Sequence, residues 1–443
     1  MEKFIINGGK RISGRVCVSG SKNVALKALV AACLTDEEMV IENIPLISDF
    51  FVMADIIKEL GGKVQIRGHT AKIRLSKFKK IKISLDKAAE IRTSVMFLAP
   101  LLARTGRASI PNPGGCRIGA RPIDRTIEGL KKMGVDVVYH SHDGYFYLKT
   151  SKDGFLKGTN YTFSKNTHTG TETLLMAAVL AKGKTALGNT ALEPEVDELI
   201  NLLNQMGANI KKDKRKIIIE GVDKLHGTVF KISPDRNEAV TLAIGAIITG
   251  GDVFIENVRE KGLVEFLQEL SKANGGFEIK DTGIRFYSNG RLKSTDVTTL
   301  PYPGFMTDWQ GPWCVLMTKA QGSSVIHETV YENRFGYVSE LKKMGADIKL
   351  FNPKVENPNE FYNFNLSDDK KDYFHAAKIS GPKNLHNGIV TMSDLRAGAT
   401  LVLAALAAKG QSVVFGVEHL DRGYEHFEDR LQKLGADIKR VKE

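Results

Sequence analysis

The chain has 443 residues, of which 42% are hydrophobic and 26% charged, and its formal net charge is +12 at pH 7. These proportions are typical of a soluble globular protein with about two domains and exclude a largely disordered chain. The positive charge favours an anionic partner. However, the lysines are spread along the chain without paired Cys/His spacing or an aromatic RNA-binding motif, which argues against nucleic acid.

The sequence also bears on the cellular compartment. No apolar run of about 18 residues predicts a membrane span. The first nine residues lack the apolar core of a signal peptide. The four cysteines show neither metal-ligand spacing nor a dense disulfide pattern. We therefore expect a cytoplasmic protein with no membrane partner and no metal.

A short pattern recurs six times along the chain: a glycine, two further residues, and then a Val or Ile that begins a predicted strand. The intervals between these glycines are 73, 73, 69, 69 and 90 residues. The glycines are Gly61, Gly134, Gly207, Gly276, Gly345 and Gly435. Each suits a helix C-cap, where glycine adopts left-handed backbone angles at little cost. The regular spacing predicts six repeated units.

Each unit contains two different kinds of predicted helix. The helix before the glycine is amphipathic, as at residues 196–203, whereas an earlier helix is apolar nearly all round, as at 174–181 and 401–408. A helix without a polar face belongs inside a domain. Each unit is therefore predicted to run strand, buried helix, strand, outer helix, strand. The longer last interval is explained by a surface insertion at residues 352–371, rich in Asn, Asp, Pro and Lys.

Two similar segments divide the six units into two sets of three. Residues 14–23 and 227–237 both run from a predicted strand into the start of a buried helix, which suits a crossover between domains. The predicted domains are residues 22–230, and residues 1–21 together with 231–443.

Three cations stand at the N-terminal ends of predicted buried helices: Lys22, Arg92 and Arg396. A cation there opposes the helix dipole unless an anion lies beside it, and helix N-termini are natural phosphate sites. We expect at least two of the three to face a shared anion. The alternative for each is an isolated surface cation beside an ordinary N-cap.

Residues 111–124 contain three prolines and three glycines, which predict a shaped loop rather than a regular element. Within this loop, Cys116 has Arg117 and Arg121 close in sequence, and such neighbours lower the pKa of a thiol. Cys116 is therefore the candidate reactive thiol. The other three cysteines are expected to be buried and unreactive; they are Cys17, Cys33 and Cys314.

Six motifs in order along nearly the whole chain carry a family resemblance. They are Gly-Ser-Lys-Asn at 20–23, the Pro-Gly-Gly-Cys loop through Ala-Arg-Pro at 113–122, Tyr-Pro-Gly-Phe leading to Thr-Asp at 302–308, Glu-Asn-Arg-Phe at 332–335, Ser-Asp-Leu-Arg-Ala at 393–397 and Asp-Arg-Gly-Tyr-Glu at 421–425. Together they resemble the UDP-N-acetylglucosamine 1-carboxyvinyltransferases, a family of enolpyruvyl transferases. One rival is the related shikimate-3-phosphate enolpyruvyl transferase, which instead resembles Asp-His-Arg-Met at the fifth motif and lacks the cysteine loop. A distant rival is a basic RNA-binding or RNA-end-processing repeat protein.

The resemblance implies an α/β (α+β) fold: a two-lobed inside-out α/β barrel of six βαβαββ units, three per lobe around buried helices, with the active site in the cleft between the lobes. It also implies transfer of the enolpyruvyl group of phosphoenolpyruvate to the 3'-hydroxyl of UDP-N-acetylglucosamine, with release of phosphate. This reaction is the first committed step of peptidoglycan synthesis, needs no metal or redox cofactor, and is the target of fosfomycin. The oligomeric state is left open.

The resemblance further assigns roles to individual residues. Cys116 would be the proton donor and Asp308 the base near the sugar hydroxyl, with Asp394 at an essential acidic position. Phosphate and carboxylate would be held by four cations: Lys22, Arg121, Arg396 and Arg422. Asn23 would bridge the two substrates. The predicted contacts to the nucleotide sugar are Arg92, Arg121, Pro122, Ile123, Asp124, Arg125, His168, Thr169 and Val330.

The chain departs from the family pattern at residues 165–170, where Lys-Asn-Thr-His-Thr-Gly replaces a Lys-x-Ser-Val-Gly type of segment. The role of His168 therefore stays open between a diphosphate ligand and a polar residue that begins a helix. Arg117 and Arg125 also replace small or apolar residues common in the family. These changes leave the motifs for phosphoenolpyruvate intact.

Overall fold

The computed structural model describes residues 2–112, 120, 122–151 and 154–442. The predicted site residues Cys116 and Arg121 lie outside these ranges. The described chain forms two compact units. Unit A comprises residues 20–112 and 122–233, and unit B comprises residues 2–19, 120 and 234–442. Each unit encloses one hydrophobic core.

The chain begins with two strands of unit B, β1 (Glu2–Gly8) and β2 (Ser13–Cys17). It then enters unit A, whose elements are α1 (Lys22–Ala32), β3 (Met39–Glu42), α2 (Ser48–Glu59), β4 (Lys63–Arg67), β5 (Thr70–Arg74), α3 (Leu85–Glu90), α4 (Leu98–Thr105), β6 (Arg107–Pro111), α5 (Asp124–Lys132), β7 (Val135–His140), β8 (Tyr145–Thr150), β9 (Asn160–Thr162), α6 (His168–Ala178), β10 (Lys184–Gly188), α7 (Pro194–Gln205), β11 (Asn209–Asp213), β12 (Lys216–Glu220) and β13 (Val229–Lys231). A 3₁₀ helix, Arg92–Phe97, precedes α4.

The remaining elements belong to unit B. They are α8 (Arg236–Ile248), β14 (Asp252–Glu256), α9 (Val264–Lys272), β15 (Gly276–Lys280), β16 (Gly283–Tyr287), β17 (Val297–Thr298), α10 (Gln310–Thr318), β18 (Gly322–His327), α11 (Val338–Lys343), β19 (Asp347–Phe351), α12 (Pro358–Phe361), β20 (Ala376–Gly381), β21 (Ile389–Thr391), α13 (Leu395–Ala407), β22 (Gly410–Phe415), α14 (Val417–Leu420), α15 (Phe427–Lys433) and β23 (Asp437–Lys442). Short 3₁₀ turns lie at Glu260–Gly262, Thr307–Trp309 and Leu366–Asp368.

The described strands form three small sheets in each unit. In unit A their orders are β13-β3-β5-β4, β6-β8-β7 and β11-β12-β10-β9, and in unit B β15-β16-β14-β2, β17-β18-β20-β19 and β21-β22-β1-β23. Every four-stranded sheet joins one parallel pair to two antiparallel pairs, as β9 is parallel to β10 while β10 and β11 are both antiparallel to β12. The strands of a parallel pair need a crossover connection. In the pairs β9/β10, β17/β18 and β21/β22 this connection contains a buried helix, α6, α10 and α13 respectively. The predicted α/β fold of repeated βαβαββ units is confirmed.

Helices predicted to lack a polar face lie in the cores. Every residue of α8 and α10 is buried, as are all but one of α13, and α6 is buried along most of its length. The outer helices bury only one face; α7, for example, buries Val196, Leu199 and Leu203. Among the described helices, none is both long and apolar enough to span a membrane.

The structure changes three details of the sequence prediction. Units A and B divide at 19/20 and 233/234 rather than at 21/22 and 230/231, because β13 pairs with β3 and so belongs to unit A. The insertion at 352–371 is not wholly on the surface, since Tyr362 and Phe364 are buried. Cys17, expected to be buried, is exposed.

A further change, in addition to these three, concerns the fourth repeated glycine. Five of the six glycines have the predicted left-handed backbone, with φ from 84° to 104°. Gly276 does not, because it begins β15, where a Cβ would lie 2.5 Å from the Tyr287 ring. The left-handed residue of this repeat is Asn274, with φ 61°. Asparagine tolerates these angles better than other non-glycine residues, so the pattern was aligned two residues too late.

Candidate active site

In unit B, two predicted site carboxylates lie at the N-terminal ends of buried helices. Asp308 occupies the 3₁₀ turn that leads directly into α10. Asp394 caps α13: its side chain accepts hydrogen bonds from the backbone N–H groups of Arg396 and Ala397 at 2.9 and 3.1 Å. Such capping satisfies N–H groups that have no partner within the helix. Capping therefore fixes where the Asp394 carboxylate stands, and the turn into α10 places Asp308.

Two guanidinium groups form ion pairs with the Asp308 carboxylate, one with each of its oxygens. Arg396 Nη2 lies 3.0 Å from Oδ2, and Arg334 Nη2 lies 2.9 Å from Oδ1. Arg334 also reaches Asp394, at 3.6 Å. Only 4% of the Arg334 side chain is exposed, compared with 24% of Asp308. The carboxylate is thus held at the accessible edge of a buried charge cluster. Ion pairs of this kind fix side-chain geometry closely.

Tyr424 completes the environment of Arg396. Its hydroxyl lies 3.1 Å from Arg396 Nη1 and 2.7 Å from the Thr241 hydroxyl. Burial works against the charge on Arg396, but Asp308, Tyr424 and Asp235 outweigh it and raise the pKa of the guanidinium above its ordinary value. Arg396 is therefore a permanent cation. The predicted residues Val330 and Arg422, also in unit B, are both partly exposed.

In unit A, the first helix presents the predicted cation Lys22. Lys22 is the first residue of α1 and Asn23 the second, following Ser21. The Lys22 ammonium lies 2.7 Å from a carboxylate oxygen of Asp49, and both side chains are largely buried. The cation at this helix end therefore has a protein carboxylate beside it. The same holds for Arg396 in unit B, so the anions that the structure places at these two helix ends are aspartates.

The predicted nucleotide-sugar residues of unit A surround the start of α5. Arg92 begins the 3₁₀ helix and donates from Nη2 to the Pro122 carbonyl at 3.3 Å. Ile123 is buried, and the exposed Asp124 is the first residue of α5. The structure thus brings Arg92 and the segment 122–124 together.

Arg125 connects this region to the segment in which the chain departs from the family. Its Nη1 donates to the Asn166 carbonyl at 3.3 Å. Burial, followed by the charge of Arg125, lowers the pKa of Lys165. Arg125 is therefore placed beside the segment that leads into α6.

His168 begins α6 and belongs to a buried charge cluster with Lys27 and Glu172. His168 Nε2 lies 3.0 Å from a Glu172 oxygen, and Lys27 Nζ lies 3.1 Å from the same oxygen. Burial lowers the pKa of His168, but Glu172, helped by Glu193, outweighs both this and Lys27, so that the pKa is raised above 6.5. The His168 ring is therefore paired with Glu172. Thr169, the next residue, accepts a hydrogen bond on its carbonyl from the Thr173 hydroxyl at 2.7 Å.

The three described cysteines are poor nucleophiles. Burial raises the pKa of Cys33 and of Cys314 to about 12. Partial burial and a hydrogen bond to Glu256 raise that of Cys17 to about 11. Their thiolates are scarce near neutral pH. The nearby arginines, Arg15 and Arg430 at Cys17 and Arg104 at Cys33, do not offset these effects.

One group of described side chains has the chemistry of a metal site. Ligand atoms of His140, His142 and Asp143 lie within 4.8 Å of one another at the turn between β7 and β8. The Asp143 carboxylate already accepts hydrogen bonds from the Tyr147 hydroxyl and the Tyr145 N–H, at 2.6 and 3.1 Å. None of these residues belongs to the predicted site.

Sequence reasoning did not identify Arg334 as a partner of Asp308, although the motif at 332–335 contains it. It also gave no role to Tyr424, Lys27 or Glu172. A motif shows which residues recur together but not which side chains meet. Tyr424 lies 28 residues from Arg396, and Lys27 lies 145 residues from Glu172.

Comparison with known proteins places the chain in a family. The model of the family described as EPSP synthase (3-phosphoshikimate 1-carboxyvinyltransferase) matches residues 6–431. Two similar solved structures are the enolpyruvyl transferase NikO from Streptomyces tendae (TM-score 0.85, 23% identity, 99% of each chain) and EPSP synthase from Acinetobacter baumannii (TM-score 0.74, 18% identity, 100% of each chain). At these identities they establish the fold.

Relatives of higher identity show which group within the family this chain resembles. A UDP-N-acetylglucosamine 1-carboxyvinyltransferase of Koribacter versatilis is 41% identical, over 100% of this chain and 97% of that protein. A protein of Caldanaerobacter subterraneus subsp. tengcongensis named UDP-N-acetylglucosamine 1-carboxyvinyltransferase 3 is 42% identical over 100% of both chains. The chain therefore belongs to the enolpyruvyl transferase family of enzymes, in the group formed by the UDP-N-acetylglucosamine 1-carboxyvinyltransferases.

Proposed function

We propose that this enzyme transfers the enolpyruvyl group of phosphoenolpyruvate to the 3'-hydroxyl of UDP-N-acetylglucosamine, with release of phosphate. The observation that carries the proposal is the Asp308 carboxylate, held by Arg334 and Arg396 at the N-terminal end of a buried helix. A fixed, partly exposed carboxylate suits a base that takes the proton of a sugar hydroxyl. Full-length relatives at about 40% identity bear the name of this activity.

The reaction is an addition followed by an elimination. Cys116 gives a proton to the methylene carbon of phosphoenolpyruvate while the sugar oxygen, relieved of its proton by Asp308, bonds to the adjacent carbon. The tetrahedral product then loses phosphate and a proton from its new methyl group, which restores the double bond. Two of the assigned cations, Arg396 and Lys22, suit the phosphate and carboxylate groups.

The remaining predicted residues are assigned to binding. Arg121 and Arg422 join the cations that hold phosphoenolpyruvate, and Asn23 contacts both substrates. The hydrogen bond from Arg125 to the Asn166 carbonyl places a cation beside the segment before α6, which supports a place for the diphosphate there. Because His168 is paired with Glu172, we assign its ring to shaping this helix end rather than to direct contact with phosphate. The product would supply peptidoglycan synthesis, and we place the enzyme in the cytoplasm.

The test is phosphate release from phosphoenolpyruvate with either of two acceptors. Release with UDP-N-acetylglucosamine and none with shikimate-3-phosphate is the expected result, and the reverse would favour the shikimate-pathway reaction. Asp308→Asn keeps the size of the side chain but removes the base. It should lower kcat by about 10²- to 10⁴-fold. RNA retention on a filter at physiological salt, together with no turnover, would support the RNA-binding alternative.

A further inference from the structure

Glu328 is a fully buried carboxylate that the proposed mechanism does not use. It follows β18 and accepts four hydrogen bonds. The Thr307 hydroxyl and the Gln310 side-chain amide donate to Oε2 at 2.8 and 3.0 Å. The backbone N–H groups of Val330 and Tyr331 donate to Oε1 at 2.8 and 3.0 Å. Four donors fill the acceptor positions of one carboxylate.

These contacts join the two segments of unit B that carry predicted site residues. Thr307 and Gln310 flank Asp308, so Oε2 fixes the turn from which the Asp308 carboxylate extends. Oε1 fixes the backbone of Val330. The Gln310 amide cannot turn freely, because its oxygen accepts a hydrogen bond from the Tyr337 hydroxyl at 2.5 Å. Glu328 therefore sets the spacing between Asp308 and Val330.

The backbone of Glu328 and of the next residue is hydrogen-bonded to residues within the insertion and just after it. The Glu328 N–H donates to the His375 carbonyl at 2.7 Å. The carbonyl of the next residue, Thr329, accepts from the N–H of Asn363 at 2.8 Å. A backbone held on both sides leaves the Glu328 side chain little freedom to move.

Aromatic packing anchors the insertion itself. Tyr362 and Phe364 are buried and stack with ring centroids 4.8 Å apart, and each lies 5.1 Å from the His375 ring. The Tyr362 hydroxyl lies 3.1 Å from His327 Nε2, and His375 Nε2 lies 3.0 Å from Asp369. This packing places Asn363 against Thr329.

We propose that Glu328 is a positioning residue for the enolpyruvyl transfer, and that residues 362–364 of the insertion, anchored by the buried Tyr362 and Phe364, hold it in place. The inference rests on the proposed function, because it acts through the assigned base Asp308. It gives the insertion a part in catalysis that its polar sequence did not predict.

Glu328→Gln is the informative substitution. Glutamine has nearly the same size, but one of its two terminal groups is an NH₂ donor. If that NH₂ faces the backbone N–H groups of Val330 and Tyr331, both of these contacts are lost. If it faces Thr307 and Gln310, the Thr307 hydroxyl can turn and accept, but the contact to the Gln310 amide is lost. Gln310 or Val330 then shifts, and a misplacement of about 1 Å near the reacting groups can cost about 100-fold in rate.

The experiment measures kcat, KM for both substrates and thermal stability of the full-length protein. We expect Glu328→Gln to lower kcat by about 10- to 100-fold while each KM stays within about threefold of the wild type. Phe364→Ala should lower kcat in the same direction by a smaller factor. The matched control is Glu269→Gln, which alters a nearly buried carboxylate of α9 that pairs with Lys272 at 2.7 Å. The kcat of the Glu269→Gln protein should equal that of the wild type.

The outcomes separate this inference from the proposed function. A folded Glu328→Gln protein with a kcat within about twofold of the wild type would overturn the inference alone, as would a stability loss without a kcat change. A wild-type protein that releases no phosphate with UDP-N-acetylglucosamine would overturn the proposed function and this inference with it.

Discussion

At the residue scale, thiol reactivity follows from local charge and burial, which differ among the three described cysteines. Cys33 and Cys314 are buried and Cys17 is hydrogen-bonded to a carboxylate, so all three have raised pKa values. Cys116 lies outside the described residues, and its assignment rests on the nearby arginines in the sequence and on the family loop. The contrast makes alkylation a selective probe of this residue.

We predict that fosfomycin, an epoxide that resembles phosphoenolpyruvate, becomes attached to Cys116 alone. Intact-protein mass spectrometry with peptide mapping, in the presence of UDP-N-acetylglucosamine, checks this. Cys116→Asp retains an acidic group, so it should escape the adduct and keep some turnover, whereas Cys116→Ser should be far less active. An adduct on Cys17, Cys33 or Cys314 would mean that the reactive thiol has been misassigned.

The pairing of His168 with Glu172 predicts a pH-dependent contribution to stability. Because the pKa of His168 is raised in the folded protein, the pair stabilises the fold fully below the ordinary value of 6.5 and loses this effect as pH rises through the folded-state pKa. The free energy of unfolding of the wild type should therefore exceed that of His168→Gln most below about pH 6.5, and the difference should shrink as the pH rises above that value. Denaturant titrations at several pH values measure the difference. A difference that grows with pH would contradict the assignment.

How far the site could be predicted is also decided at this scale. A cation before an apolar helix has a local signature, which made Arg396 a candidate from the residues alone, whereas the roles of Asp308 and Asp394 came from the family resemblance. The sequence could not identify Arg334 as the second partner of Asp308, since that contact depends on how the segment after β18 folds back on α10. Glu328 was not identified for the same reason, because its hydrogen bonds to Thr307 and Gln310 depend on the folded structure.

At the element scale, the repeated unit was predictable because its period is long and its two helices differ in polarity. The error in the fourth repeat shows the limit of such patterns. A pattern defined by glycine misses the left-handed position when another residue occupies it. The backbone requires only a residue that tolerates left-handed angles, and here that residue is Asn274. The insertion was similarly misjudged from composition, because two aromatic side chains within a polar segment suffice to bury its centre.

The assignment of Asn274 as the left-handed residue predicts an unusual order of stability. Asn274→Ala should be less stable than Asn274→Gly by about 1 kcal/mol, because only glycine adopts these angles without strain. Both variants lose the side-chain hydrogen bonds to the Asn289 and Arg291 carbonyls, so their difference isolates the backbone. The control is Ser271, an exposed residue within α9. There alanine should be more stable than glycine by about 0.5–1 kcal/mol. The same order at both positions in chemical denaturation would refute the assignment.

At the scale of the whole molecule, the chain enters unit A after β2 and leaves it after β13. Each of these strands belongs to one unit, whereas the helix that follows it belongs to the other. β2 leads into α1 of unit A but is parallel to β14 of unit B, and β13 leads into α8 of unit B but is parallel to β3 of unit A. The sequence predicted crossovers at these places from the similarity of two segments. It missed the boundaries by two or three residues, because strand partners are not encoded locally.

This topology predicts that the two units differ in their ability to fold from one contiguous segment. All three sheets of unit A are built from residues 20–233, so that fragment should fold cooperatively. Residues 234–443 lack β1, which lies between β22 and β23, and should not fold alone. Because Glu2 pairs with Lys442, a short Gly-Ser linker from residue 443 to residue 1 can return residues 1–19 to this fragment and should restore folding. Circular dichroism melts and amide hydrogen exchange test all three proteins. Cooperative melting of 234–443 without residues 1–19 would show that β1 is dispensable.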